Sequence, residues 1–259
     1  GFCLCNFNFR FYNAYLLVDE DKTVLLDTAD ASISQQFFEN VKHVLQNRAL
    51  DYLIVNHMEP DHCALIEDMV LRYPGLKLIG NAKTLQMIKQ FFDFEVEDRF
   101  IAVKEGDTFE TANHTLTFVM APMVHWPEAM FTYDATEKIL FSADAFGSFG
   151  IYSNYEAHWI DEARRYYINI CGKYGTQVSA ALAKLEALEI QTIAPLHGCV
   201  LEGEEAAEAR RLYGIWSKYE VEHEGVLVAY ASIHGNTAKV AKRIAEILRA
   251  NNVDVKEID

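Results

Sequence analysis

The chain has 259 residues, 51% of them apolar, which is enough for one large core and part of a second. Its formal charge of −15 disfavours nucleic acid and anionic membranes as partners. No apolar run approaches the roughly 20 residues that cross a bilayer.

The start, Gly1-Phe2-Cys3-Leu4-Cys5, lacks an initiator Met and the basic n-region of a signal peptide, so it reads as a fragment whose true N-terminus is missing. Cys3-x-Cys5 reads as a strand with cysteines on one face rather than a metal site. The five cysteines (Cys3, Cys5, Cys63, Cys171 and Cys199) are odd in number and scattered, as in the reduced thiols of a cytoplasmic protein. Strands are predicted at 13–18 and 23–27 across the acidic turn Asp19-Glu20-Asp21-Lys22, followed by an amphipathic helix from Ser34 to Gln46. The apolar run Tyr52-Leu53-Ile54-Val55 is a buried strand, Leu76 to Gly80 another, and Asn81 to Phe92 a helix. Strands follow at 101–103, 115–119, 129–133 and 139–142, then helices near 159–171, 176–188 and 203–218. Strands and helices in this order describe a layered α/β sandwich. The charged, aperiodic stretch around 218–225 reads as a linker, which places one domain at 1–220, a linker at 221–225 and a second domain at 226–259. The second begins with the strand Val226-Leu227-Val228-Ala229-Tyr230 and a helix from Ala238 to Asn251. Val253-Asp254-Val255 starts one more strand, so this domain is expected to be cut off after a single strand–helix unit.

The strand at 52–55 runs into His57-Met58-Glu59-Pro60-Asp61-His62, four potential metal ligands in one short turn. Two imidazoles and two carboxylates form a nitrogen and oxygen set that suits Fe, Mn or Zn, and the lack of thiolate argues against an iron–sulfur cluster. Such residues are common in surface turns, but not at this density. Three more candidates follow later strands: His125, Asp144 and His197, the last beside Gly198, which frees the backbone. Each alone is an ordinary loop residue; together, behind a turn full of ligands, they describe one site.

With these motifs in hand, the chain resembles the flavodiiron proteins (A-type flavoproteins). The resemblance rests on His57-x-Glu59-x-Asp61-His62, His125-Trp126-Pro127, Ser142-Ala143-Asp144-Ala145-Phe146-Gly147, Ala194-Pro195-Leu196-His197-Gly198 and the later Ser232-x-x-Gly235-Asn236-Thr237. It implies an αββα metallo-β-lactamase-like sandwich followed by the first strand–helix unit of a flavodoxin-like, doubly wound FMN domain. It also implies two non-haem irons, one on His57, Glu59 and His125, the other on Asp61, His62 and His197, with Asp144 bridging. His62 does not always coordinate in the family. The interval from Asp144 to His197 is shorter than the family's, which suggests a trimmed loop around Gly150–Tyr155. Hydrolases on the same scaffold are similar but place a His where Glu59 stands and commonly hold zinc; a carboxylate is the harder donor and stabilises a higher oxidation state of iron.

Ser232-Ile233-His234-Gly235-Asn236-Thr237 lies between a strand and a helix. Gly235 permits a tight turn, Ser232 and Thr237 hydroxyls can donate to a phosphate, and helix-start N–H groups hold an anion. Alone it is equally an ordinary capped helix; after a diiron set it reads as an FMN phosphate loop. Because the flavin ring would rest on later loops, residues 226–259 are expected to bind FMN poorly. Trp126, Phe146 and Phe149 are candidate walls of the metal pocket, though core packing explains them equally well; His43, His114, His158 and His223 are read as surface or satisfied histidines, and His234 as a solvent-facing loop residue rather than a contact to the flavin edge.

The resulting expectation is a cytoplasmic oxidoreductase that reduces O2 to water, NO to N2O, or both. The resemblance implies electron supply through FMN from rubredoxin or a similar carrier, and a head-to-tail homodimer or dimer of dimers. Two competitors stand beside it: a dizinc hydrolase, against which Glu59 and the flavin loop speak, and a non-catalytic diiron oxygen sensor, which would need no flavin domain.

Overall fold

The computed structural model describes residues 2–6, 12–150 and 155–259, with side chains from 12 to 150 and from 159 onward. The chain divides into two compact units, Gly1–Tyr219 and Glu220–Asp259.

In the first unit, one six-stranded sheet runs in chain order: β1 (Phe2–Asn6), β2 (Asn13–Val18), β3 (Thr23–Leu26), β4 (Tyr52–Ile54), β5 (Lys77–Gly80) and β6 (Phe100–Ala102). The first three strands are antiparallel hairpin neighbours; from β3 to β6 all pairings are parallel, because each connection carries a helix or helical turns that return the chain to the same end. The helices are α1 (Ser34–Leu45), α2 (Pro60–Cys63), α3 (Ile66–Arg72) and α4 (Ala82–Phe91). The second sheet, in spatial order, is β12 (Leu201–Glu202), β11 (Thr192–Ala194), β10 (Ile139–Phe141), β9 (Met130–Asp134), β8 (Thr115–Met120) and β7 (Thr108–Glu110), followed by α5 (Tyr155–Ile170), α6 (Gly175–Leu185) and α7 (Glu204–Ser217) as its helical layer.

The layers follow from strand alternation. Successive side chains of a strand point to opposite faces. Tyr15, Leu17, Val24, Leu26, Ile54 and Ile79 therefore join the cluster shared with the second sheet, while Ala14, Leu16, Leu25, Leu53 and Leu78 meet Phe37, Val41, Ile66 and Met69 of the helices. At about 1.5–3 kcal/mol for each fully buried large apolar side chain, these two clusters are the main favourable term of the fold. The result is helices, sheet, sheet, helices, the α/β sandwich predicted from the order of elements.

Boundaries differ from the sequence reading in ways that matter at one place. Residues 57–62 are not a single turn: Glu59 is extended, and Pro60, with its fixed φ and no N–H to satisfy, starts α2 with Glu59 at its N-cap. Strands β7 and β12, and helix α3, were not anticipated.

The second unit is a βαβ element. Strands β13 (Val226–Ala229) and β14 (Val255–Ile258) pair in parallel with α8 (Asn236–Ala250) between them. The second strand thus begins at Val255 rather than Val253 and is complete enough to pair along four residues. Ala241, Ala245 and Val255 are buried, whereas Leu227, Val240, Ile244 and Ile247 remain exposed.

Candidate metal centre

Every sequence-predicted ligand of the first unit stands where a strand gives way to irregular backbone at one end of the sandwich. His57, Glu59, Asp61 and His62 follow β4 of the first sheet. His125 follows β8, Asp144 follows β10 and His197 follows β11, all of the second sheet.

Buried hydrogen bonds hold each of these loops. At the end of β3, Asp27 accepts the backbone N–H groups of Asn56 (2.8 Å) and His57 (3.1 Å) on one carboxylate oxygen and the Asn56 side-chain amide (2.9 Å) on the other. Burial lifts the Asp27 carboxyl to about 7, even though those hydrogen bonds pull the other way. Asn56 accepts from Thr132 Oγ1 (2.7 Å) and its carbonyl from the Met130 N–H (3.1 Å), which joins the two sheets beside the site. The Thr28 hydroxyl donates to the His62 carbonyl at 2.7 Å, fixing α2. On the opposite side Asn13 donates to the carbonyls of Pro195 (2.9 Å) and Gly198 (2.8 Å), so β2 holds the His197 loop. Gly198 has φ +83°, and a Cβ there would lie 2.2 Å from Ser148 Oγ; only glycine fits. Ala143 (φ +49°) and Phe146 (φ +65°) flank Asp144 in the left-handed region, strain of the kind that functional loops retain.

The ligand atoms form two groups that could each hold a metal ion: His57, Glu59, His125 and Asp144, and Asp61, His62 and His197. In the first, Glu59 Oε2 lies 3.0 Å from His125 Nε2 and 3.4 Å from His57 Nε2, and Asp144 Oδ2 lies 3.1 Å and 3.7 Å from the same nitrogens. In the second, Asp61 Oδ2 lies 3.5 Å from His62 Nε2 and 3.4 Å from His197 Nε2, which are 2.9 Å from each other. The second oxygen of Asp144, Oδ1, faces this group, 3.3 Å from His62 and 3.6 Å from His197. One carboxylate thus turns one oxygen to each group.

The field of the corner suits cations. Burial would strip the proton from His57, but Asp144, Glu128 and Glu59 outweigh it and raise the imidazole well above its ordinary range. Burial likewise disfavours charge on Asp144, yet His197, His57, His125 and His62 hold its carboxyl well below the usual range. Hydrogen bonds to His125 and then His57 hold Glu59 at about 2. Burial lowers His62, favouring the neutral imidazole that a metal needs. Asp61 Oδ1 and Asp144 Oδ1 are buried with no hydrogen-bond partner, costly for carboxylate oxygens unless a cation faces them. The residues therefore fit a pair of divalent ions of nitrogen and oxygen preference. The neighbouring thiol takes no part: Cys63 donates to the Met58 carbonyl at 3.2 Å, and burial pushes it up to about 12.

The aromatic surroundings divide between the two readings of the sequence, pocket wall and core packing. Trp126 does meet the ligands, its ring 5.6 Å from that of His57 and 6.3 Å from that of His125. Phe146 stacks on Tyr213 in the core (4.2 Å), and Phe149 packs on Tyr166 (5.0 Å) rather than on a ligand. Sequence reasoning missed Tyr12, edge-on to both His62 (5.9 Å) and His197 (5.5 Å), and Tyr166, 5.6 Å from His197. The Tyr166 ring occupies the space a side chain at Gly147 would fill; burial and the charge of Asp144 keep its phenol protonated. The Gly147 beside Asp144 was the available signal. His114 is buried against Asp134 (2.8 Å), and His43 and His223 are exposed. Residues 151–154 of the suspected trimmed loop, and the side chains of Cys3, Cys5 and His158, lie outside the described residues.

The Ser232–Thr237 loop belongs to the second unit. Gly235 (φ +78°) caps α8, a Cβ there would meet nothing within 4 Å, and Ile233, His234, Asn236 and Thr237 are exposed. Ser232 Oγ is buried without a partner.

Comparison with known proteins gives a matching family model, described as ODP family beta lactamase, over residues 11–198. A nitric oxide reductase of Moorella thermoacetica is 31% identical over 253 residues, 95% of this chain and 62% of that protein. The flavodiiron protein of Giardia intestinalis superposes with a TM-score of 0.84 at 25% identity, covering 95% of this chain and 61% of that one. Rubredoxin oxygen:oxidoreductase of Desulfovibrio gigas gives 0.81 at 27% identity, over 95% and 63% of the two chains. The chain therefore spans about three fifths of the length of these relatives. No helix among the described residues is long and apolar enough to cross a membrane.

Proposed function

The chain belongs to the ODP family of beta-lactamase-fold proteins, and from that membership we propose that its metal corner is a non-haem diiron centre that reduces O2 to water, NO to N2O, or both. The observation that carries the reading is Asp144, whose two oxygens face two separate donor groups, with Glu59 supplying a carboxylate to the first. His57, Glu59 and His125 would hold one iron, Asp61, His62 and His197 the other, and Asp144 would join them. Held by these residues, two ferrous ions would supply electrons and open coordination positions for a diatomic substrate.

The chain's own residues do the rest. Asp27 and Asn56 fix the backbone from which His57 projects. Tyr12 packs edge-on against His62 and His197, and Trp126 lies against His57 and His125, which limits the room in which those imidazoles can turn. Tyr166 holds a proton on its buried hydroxyl next to Asp144, where a reduced oxygen atom would need one.

The same reading assigns the Ser232, Ile233, His234, Gly235, Asn236 and Thr237 loop to the phosphate of FMN. Its open glycine turn at the start of a 15-residue helix, with the unpartnered Ser232 hydroxyl, supports this. Flavin would accept electrons from rubredoxin or a similar carrier and pass them on singly. A head-to-tail dimer that presents one subunit's flavin to the other's metals, and a cytoplasmic location, complete the proposal.

The test is elemental analysis of anaerobically purified protein. About two irons per chain, falling to one or fewer when His57 or His197 is replaced by Ala, is the expected result. Two zincs, with iron absent even after iron-replete expression, would overturn the reading in favour of a hydrolase.

A further inference from the structure

We infer that Glu128 is a positioning residue for the first metal position: its carboxylate selects the tautomer of His57 and aims Nε2 at the metal. The inference rests on the diiron reading above.

Glu128 lies on the loop before β9, and its side chain is 0% exposed, as is that of His57. Its Oε1 is 2.9 Å from His57 Nδ1 and accepts the Met58 backbone N–H at 2.7 Å. A carboxylate oxygen that already accepts one N–H and sits on Nδ1 requires the proton there. That leaves the lone pair on Nε2, the atom that faces Glu59 and Asp144. Glu128 is itself held from behind: Asn81, whose side-chain oxygen caps α4 by accepting from Lys83 and Thr84, donates its amide to the Glu128 carbonyl. A chain of fixed contacts thus runs from the start of α4 through Glu128 to His57. Glu128 Oε2 is buried without a partner, so this carboxylate is kept in an unfavourable setting for the sake of its other oxygen.

The second position has no such support at His62. That imidazole is equally buried, yet its Nδ1 finds no acceptor among the described residues. Among the described residues no carboxylate holds that Nδ1 as Glu128 holds the Nδ1 of His57. The first position is therefore preorganised for metal, and Glu128 is the group that makes it so.

The experiment is anaerobic titration with Fe(II), read by competition with a coloured chelator, on a double-mutant cycle. In a His197→Ala background, Glu128→Ala is expected to weaken the remaining high-affinity iron by about 10–100-fold, the usual cost of losing such a partner. Glu128→Gln, which keeps an accepting oxygen, is expected to recover most of that loss. In a His57→Ala background the Glu128→Ala effect should vanish, because the imidazole it orients is gone. An effect of equal size in both backgrounds would show Glu128 to be a general prop for the ligand turn, acting through Met58, and would overturn the inference. So would unchanged affinity in the His197→Ala background, with circular dichroism establishing that each variant is folded. If the unmodified protein binds zinc and no iron, the diiron reading fails instead, and the same cycle run with Zn(II) still decides the part of Glu128.

Discussion

Gly198 and Gly235 have nearly the same backbone conformation, φ +83° and +78°, in two very different settings. Around Gly198 the chain is packed so tightly that a methyl group would land on Ser148; around Gly235 a methyl group would meet nothing. The first glycine stands beside a ligand of the metal corner, the second at the head of the proposed phosphate loop. The contrast shows two ways of building a site. Seven converging side chains must be fixed from behind by buried amides, hydroxyls and carboxylates before they can agree on an atom position. A phosphate cradle made of backbone N–H groups needs only the right turn and open space in front of it.

The largest expected effect breaks the metal corner at its shared ligand: Asp144→Ala should take the metal content from about two ions per chain to nearly none, as read by elemental analysis. Retention of both ions would remove its bridging role. Next comes the glycine pair, which sharpens the comparison directly. Gly198→Ala should cost about 3 kcal/mol, from backbone strain plus a clash that must be relieved, whereas Gly235→Ala should cost about 1 kcal/mol, from backbone strain alone. Denaturant midpoints, followed on the first unit and by amide exchange on α8, would separate them; equal costs would show that the packing at Ser148 yields easily.

Stripping the metals with a chelator should lower the stability of the first unit by about 2.7 kcal/mol per ion if each is present at a hundred times its dissociation constant. Amide exchange in residues 220–259 should stay unchanged. The smallest effect lies away from both sites, at the β2–β3 turn. Asp19 is buried there, which by itself would raise its carboxyl, but the Asn113 and Thr111 side chains and the Asn113 and Glu20 N–H groups hold it well below the usual range. A depressed carboxyl contributes stability that is present above the unfolded-state value of about 4 and is lost as pH falls through and below it. Asp19→Asn should therefore flatten the acid limb of the stability curve, by about 1 kcal/mol, with and without metal. An unchanged acid limb would locate the titration elsewhere.

How much of this was legible in the sequence divides along the same line. Most strands could be read from their apolar runs, and the turn after β4 from its density of potential ligands; His125, Asp144 and His197 stand singly at strand ends, and the resemblance to flavodiiron proteins joined them to that turn. What the spacing could not reveal was the shell behind them. Glu128 follows Pro127 and looks like a surface acid; only the turn of the loop buries it. Asp27 closes a strand and looks like the start of a turn, yet it holds Asn56 and His57 across 30 residues of chain. Tyr12 and Tyr166 carry no motif, because an aromatic ring reaches the site through tertiary packing. The helical turn at Pro60 was legible from proline's preference for a first helical position, but the density of ligands drew the reading toward a single loop.

The two sheets each supply ligands to both donor groups, and Asn56 and Asn13 link them on either side. The sandwich therefore works as a calliper. Neither sheet can swing away from the other without pulling His125 from His57 and Glu59, and His197 from Asp61 and His62, so the separation of the two donor groups is set by the same inter-sheet spacing that the apolar core maintains. A repacking of Tyr15, Phe141 or Leu26, none of them a candidate ligand, would be felt at the donor atoms as a change of jaw width.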